Sequence, residues 1–425
     1  MHNYKYKIKT IMLESGERFP VIIKETDEPD FYSTAYSVSI LRARNLASNT
    51  MENTLRSILI LNLFIDSRCI NLESRFSSGL IFTIDELNSL IILCRQPASV
   101  ISAKKTPPIK NKNSTRRISF EEFRRKMRES SPEISNQLLA TRLIYMCAYL
   151  RWRIEFHLSH AGMSHSIRSQ LISAKDSAIQ HIKAMSPKSN NHGGFMEREG
   201  LSTEEFQELL RVVDPTSKDN PWHNEFIRIR NQLLVLWLCH FGIRKGELLN
   251  ICVQDINFRE NKVQIIRRAD NPEDPRVKQP KVKTLDRELS ESFGVLDKTY
   301  DYLTKYRSQI PLTRKHDFLF VSLTGRPLSS DGCAKIFFDL RNQSSKLPKN
   351  LSPHSLRHTW NTRFSELMDE RKVDAETENR IRSYVMGWKE TSKTASVYTR
   401  RHIRKKAQEA ALAMQRKMLE GDDNE

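Results

Sequence analysis

The chain has 425 residues, long enough for two or three domains with real cores. Lys plus Arg outnumber Asp plus Glu by 69 to 51, a formal charge of +18, which points to a polyanionic partner, nucleic acid before a membrane surface. No stretch approaches the roughly 20 apolar residues that a bilayer span needs, and MHNYKYKIKT is charged where a signal peptide would be apolar, so a cytoplasmic location on DNA is expected.

Residues 4–26 alternate apolar and basic positions, break at ESGE and resume as FPVII, the pattern of a two-strand hairpin. From about 42 to 95 the apolar spacing becomes helical. The segment KKTPPIKNKNSTRRISFEEFRRKMR at 104–128 is strongly basic, and its Lys104, Lys105, Arg116, Arg117, Arg124 and Arg125 are candidates for the DNA backbone. A solvated charged face is the plain alternative, and the two readings separate in one measurement. Neutralising Lys104, Lys105, Arg116 and Arg117 together should flatten the salt dependence of DNA affinity, because each lost phosphate contact releases fewer counterions. An unchanged slope would return the run to ordinary surface.

Helical patterns continue through TRLIYMCAYLRWRIEFHL and SQLISAKDSAIQHIKAM to SPKSNNHGG, whose composition is that of a linker. Beyond it, LSTEEFQELLRV carries a capping signature, and NEFIRIRNQLLVLWLCHFG reads as a long buried helix stopped at Gly242. Short strands are expected at VQDINF, VQIIRR and KTLDREL, followed by DFLFVS and further helices. Cys69, Cys94, Cys147, Cys239, Cys252 and Cys333 form no CxxC pair, and His157, His160 and His165 lack acidic or cysteine partners in register; no metal site is expected. The expected fold is mainly α with a small antiparallel β-sheet in the C-terminal domain. Its divisions are a hairpin extension at 1–40, a helical domain at 41–185, a linker at 186–200, a second domain at 201–412 and an acidic tail at 413–425.

Four local signals share the second domain. In GIRKGELL, Arg244 and Glu247 stand three apart at a helix start, where an ordinary surface ion pair would be worth about 0–1 kcal/mol. VKQPKVKT holds Lys278, Lys281 and Lys283 on an expected hairpin. In LSPHSLRHTW, Ser352 can cap a helix, Pro353 suits its first position, and His354 and Arg357 share one face, a seat for a phosphate. MGWKETSKTASVYTR holds Trp388 and Tyr398.

Singly each signal is weak, but the order Arg, Lys, His-x-x-Arg, Trp, Tyr resembles the tyrosine recombinase (phage integrase) family over roughly 200–412. The resemblance implies a helical N-terminal core-binding domain and a catalytic domain that exchanges DNA strands at specific sites. It implies Tyr398 as nucleophile, Arg244 and Arg357 on the phosphate, His354 as base, Lys278 as general acid with Lys281 as the alternative, and Trp388 as a phosphate donor. Glu247 and His358 would give support. Double-stranded DNA is the implied partner, in a synapse of four protomers.

The chemistry fits the residue types. Guanidinium forks match the non-bridging oxygens, where the transition state builds charge. A phenol with an ordinary pKa near ~10 needs nearby cations and a base. An indole donates but cannot shuttle protons. A covalent 3′-phosphotyrosine would store the energy of the broken linkage, so neither ATP nor a metal cofactor is expected, in keeping with the lack of a GxxxxGK[ST] loop. The segment 401–419, with Ala407, Ala411, Met414 and Met418 on one stripe, can dock on a neighbouring protomer or fold back on its own. A type IB topoisomerase-like relaxing enzyme and a non-catalytic DNA-binding protein of the same fold are the alternatives.

Overall fold

A computed structural model describes residues 6–98, 101, 133–160, 162–187, 200–282, 284–292, 294–389 and 407–416. The chain divides into two compact units, Met1–Leu13 with Arg18–His192, and Glu14–Glu17 with Gly193–Glu425.

In the first unit, strands β1 (Tyr6–Met12) and β2 (Arg18–Lys24) pair antiparallel from Tyr6↔Lys24 to Met12↔Arg18. Lys7 and Lys9 face out between half-buried Tyr6 and Ile8, which produces the alternation seen in the sequence. The hairpin is no appendage: Phe19, Val21, Ile22 and Ile23 lie in the same core as the helices. Helix begins earlier than the apolar spacing suggests, with α1 (Phe31–Tyr36) running into a wider turn at Ser37–Arg42. Asp30 caps α1 by accepting from the Ser33 amide.

Next come α2 (Ser48–Ser67), α3 (Leu72–Ser77) and α4 (Ile84–Cys94), then α5 (Asn136–His160) and α6 (His165–Ala184). In α2, Met51, Leu55, Ile58 and Leu61 recur every three or four residues and are buried, which directs one face of the helix into the core. α4 opens with a reciprocal Thr83–Glu86 capping box. The buried Arg142 of α5 donates to the carbonyls of Cys94 and Gln96 and so closes the far end of α4. The basic run with Lys104, Lys105, Arg116, Arg117, Arg124 and Arg125 lies outside the described residues, as do 188–199 of the expected linker.

The second unit is again mainly helical. α7 (Thr203–Val213) starts from a Ser202–Glu205 capping box, and α8 (Glu225–Phe241) ends at Gly242, whose φ of 58° makes it a left-handed cap. Trp237, Leu238 and Phe241 of α8 lie in the core with Leu356, and the Trp237 indole donates to Thr299 Oγ1 at 3.0 Å. After the short α9 (Lys245–Leu248), strands β3 (Ile256–Asn257), β4 (Lys262–Ile265) and β5 (Arg287–Ser290) form one antiparallel sheet in that order. β5 covers only the end of KTLDREL, because the Leu285 amide donates to Gly387 instead of to a strand. DFLFVS contributes isolated bridges, Cys252↔Phe318 and Val321↔Pro327.

The remaining helices are α10 (Val295–Asp301), α11 (Ser330–Gln343), α12 (Pro353–Glu370) and α13 (Ala375–Met386). Residues 407–416 are helical and exposed, so helix continues into the stretch expected as tail. Among the described residues, no helix is long and apolar enough to cross a membrane.

Candidate active site

Arg244 is the N-cap residue of α9, in extended backbone directly after the left-handed Gly242 and the buried Ile243. Its amide donates to Glu247 Oε2 at 2.9 Å, and its Nη1 lies 3.5 Å from Oε1. The Arg244 side chain is 31% exposed and Glu247 is fully covered, so the carboxylate holds the arginine from behind while the guanidinium reaches out. Glu247 also accepts from Thr284 Oγ1 and, at 2.9 Å, from Arg287 Nη2. Burial alone would raise this carboxyl; the charges of Arg287 and Arg357, with the hydrogen bonds from Arg287 and Thr284, outweigh it and hold the pKa below the ordinary 4.5.

Arg287 was missed by sequence reasoning, yet the strand carries its signal. With a period of two, Arg287 shares the buried face of β5 with Leu289, while Glu288 and Ser290 point out. A charged residue on a core face requires a partner. Its Nε donates to the Val385 carbonyl at 2.6 Å, tying the sheet to the end of α13.

α12 starts as its sequence predicts, with Ser352 accepting from the Ser355 amide and Pro353 in the first turn. Arg357 is 2% exposed. Its Nη1 donates to the Gly242 carbonyl at 2.7 Å and its Nη2 to the Met386 carbonyl at 3.3 Å, so the ends of α8 and α13 fix the guanidinium plane. The Trp388 ring lies 5.3 Å from the Arg357 carbon, within cation–π reach, and the ring is buried. Gly387 can be nothing larger: at φ 64° an added Cβ would come within 2.7 Å of Arg287 Nη1.

A cavity of about 440 Å³ is lined by Arg244, Lys245, Gly246, Lys281, Ser352, Pro353, His354 and Arg357. It brings together three stretches far apart in the chain, and every ionisable group on its wall is basic. Lys281 lines it, whereas Lys278 is exposed and is not among the lining residues. The Lys281 segment is anchored deeply. Asn250 Nδ2 donates to the Pro280 carbonyl at 2.6 Å, and the buried Arg276 bonds Asp274, Leu249, Leu328 and Asn250. The acidic ADNPEDPR stretch thus supplies the counter-charge of an internal clamp. Gly246 allows the close approach, since a Cβ there would lie 2.1 Å from the Lys281 carbonyl oxygen. His354 is exposed and His358 half-buried, with their Nε2 atoms 3.1 Å apart. Tyr398 and Lys283 lie outside the described residues.

Residues 200–404 match the sequence pattern of the phage integrase family. The second unit belongs to the phage integrase family. Among its relatives, the integrase domain is similar to tyrosine recombinase XerD of Halalkalibacterium halodurans, 25% identical over 166 residues, covering 39% of this chain and 48% of the relative. XerD of Staphylococcus haemolyticus is 27% identical over 168 residues, covering 39% and 48%. The chain therefore spans about half the length of the curated relatives it matches. Among solved structures, XerH site-specific recombinase bound to palindromic difH substrate aligns at a TM-score of 0.42 and 18% identity, covering 66% of this chain and 78% of that one. Within the matched range lie Arg244, Glu247, Lys281, His354, Arg357, Trp388 and Tyr398 of the integrase domain.

Proposed function

We propose that this protein is a site-specific DNA recombinase that cuts and rejoins strands through a covalent 3′-phosphotyrosine. The observation that carries the reading is the basic cavity: two guanidiniums on independent supports, two lysines and a histidine line one space, the charge a phosphodiester would need. Arg244 and Arg357 bind the non-bridging oxygens and stabilise the charge that develops there. Tyr398 attacks phosphorus, His354 takes its proton, and a lysine protonates the leaving 5′ oxygen. Trp388 packs beside Arg357 and gives the phosphate a donor. Glu247 and His358 support the two functional side chains they contact. Such an enzyme works on double-stranded DNA in the cytoplasm as a homotetramer on two duplexes, with 401–419 contributing to contacts between protomers.

Between the two candidate hairpin lysines, Lys281 is the general acid on this reading, because it lines the cavity and Lys278 does not. Single-turnover cleavage with a 5′-bridging phosphorothiolate, whose sulfur leaves without a proton, checks this. K281A should lose about 10²–10⁴-fold on the normal substrate and recover most of it on the sulfur one. The same rescue in K278A or K283A instead would move the role to that lysine.

The function itself is tested by incubating the protein with a nicked duplex bearing its recombination site, in EDTA and without ATP. A protein–DNA adduct that survives denaturing detergent is expected, with the DNA attached at residue 398. Absence of any adduct would sink the reading in favour of a DNA-binding protein. Relaxation of supercoiled DNA without paired sites would favour the topoisomerase-like alternative.

A further inference from the structure

The pairing of His354 with His358 carries a consequence for how the cavity handles protons. The rings stand four residues apart on α12, 4.4 Å between centroids and inclined at 70°, with Nε2 facing Nε2 at 3.1 Å. Two N–H groups pointed at each other over that distance would collide, and two bare lone pairs would repel. The contact therefore holds one proton, and one ring donates while the other accepts. In a neutral pair, the ring that donates through Nε2 has a bare Nδ1 that can act as a base. The ring that accepts at Nε2 carries its proton on Nδ1 and acts there as a donor. The state of His358 thus decides what Nδ1 of His354 can do.

We infer that the two histidines form a proton relay, with His354 exchanging a proton with the reacting oxygen at Nδ1 and His358 accepting the proton displaced from His354 Nε2. The inference rests on the strand-transfer reading. In the forward step the phenolic O–H bond breaks and its proton passes to His354 Nδ1, as the Nε2 proton of His354 moves to His358 Nε2. The oxygen electron pair forms the new bond to phosphorus, the bond to the 5′ oxygen breaks, and that oxygen takes a proton from Lys281. Rejoining runs the same transfers in reverse.

The surroundings supply the reason for a relay. The charged groups lining the cavity with His354 are Arg244, Lys245, Lys281 and Arg357, all cationic. Glu247 is buried among Arg244, Thr284 and Arg287. An imidazolium left on His354 would stand against that array of like charge. Handing the proton to His358, which is not among the lining residues, takes the charge off the cavity wall. His358 touches no substrate on this account; it is a positioning residue.

The test follows histidine side-chain nitrogens by NMR in the DNA-free full chain, alongside the pH profile of single-turnover cleavage, for wild type, H358Q and H358N. In wild type, His354 and His358 should titrate as one coupled pair in two steps. In both variants His354 should titrate in a single step, and cleavage should fall about tenfold with a displaced acid limb, at unchanged DNA affinity. A His354 titration identical in wild type and variants, or superimposable pH profiles, would overturn the relay. Coupled titration in a wild type that traps no DNA would overturn the strand-transfer reading and the relay with it, leaving only the shared proton. Trapped DNA with uncoupled histidines would overturn the relay alone.

Discussion

Replacing Tyr398 with phenylalanine should abolish the covalent protein–DNA adduct while leaving duplex affinity within about twofold. The phenol oxygen is the only atom removed, and on the proposed mechanism it is the atom that bonds phosphorus. An enzyme stripped of its nucleophile keeps its preorganised cations, but those stabilise a transition state that can no longer be reached by this route. Adduct formation on a nicked duplex, read on a denaturing gel, is the direct measure. Salt-dependent binding on the same duplex controls for folding, since phosphate contacts made by lysines and arginines dominate affinity. An adduct that persists in Y398F would place the nucleophile elsewhere in the chain.

The second large effect is expected at Glu247. Its carboxylate is fully covered and is shared by Arg244, Thr284 and Arg287. In E247Q the shape survives but the Arg287 guanidinium, 1% exposed, keeps its charge without a counter-ion. Breaking a buried pair from one side typically costs about 3–5 kcal/mol. Because the folded carboxyl titrates below its ordinary 4.5, its stabilisation is complete above that value and is lost as pH falls through the lowered folded value. The stability gap between wild type and E247Q should therefore be widest near neutrality and narrow below about pH 4.5. Denaturant unfolding at a series of pH values measures both. A gap that stays constant into acid would show that the carboxylate charge is not what the arginines require.

Much of the integrase domain was legible because its signals are local. The Ser202 capping box, the Gly242 stop and the Ser352–Pro353 start each act within one turn, and each marks a helix end in the structure. His354 and Arg357 follow from that start, since three residues of helix put them on one side. What stayed hidden depends on partners distant in sequence. Nothing near Lys281 announces that Gly246 makes room for its carbonyl or that Asn250 and Arg276 pin the segment before it. Spacing to the next strand favoured Lys278, whereas it is Lys281 that lines the cavity, in an irregular segment positioned by tertiary anchors rather than by period. Arg287 lay between these extremes: its place on the inward face of β5 was readable, while its contacts with Glu247 and Val385 were not. Among the described residues of the N-terminal unit the helical spacing read correctly from α2 onward, but α1 escaped because Phe31–Tyr36 is too short to display a stripe.

The two carbonyls that receive Arg357 come from Gly242 and Met386, at the far ends of separate helices. A polypeptide still on the ribosome, synthesised through α12 but not yet through α13, would hold both arginines and lack one of the acceptors that orient the second. On the proposed mechanism, a phosphate site with both arginines oriented would thus form only once α13 has been made. If that mechanism holds, synthesis order itself would act as a safety catch, since a half-made chain could not yet hold the second guanidinium in place.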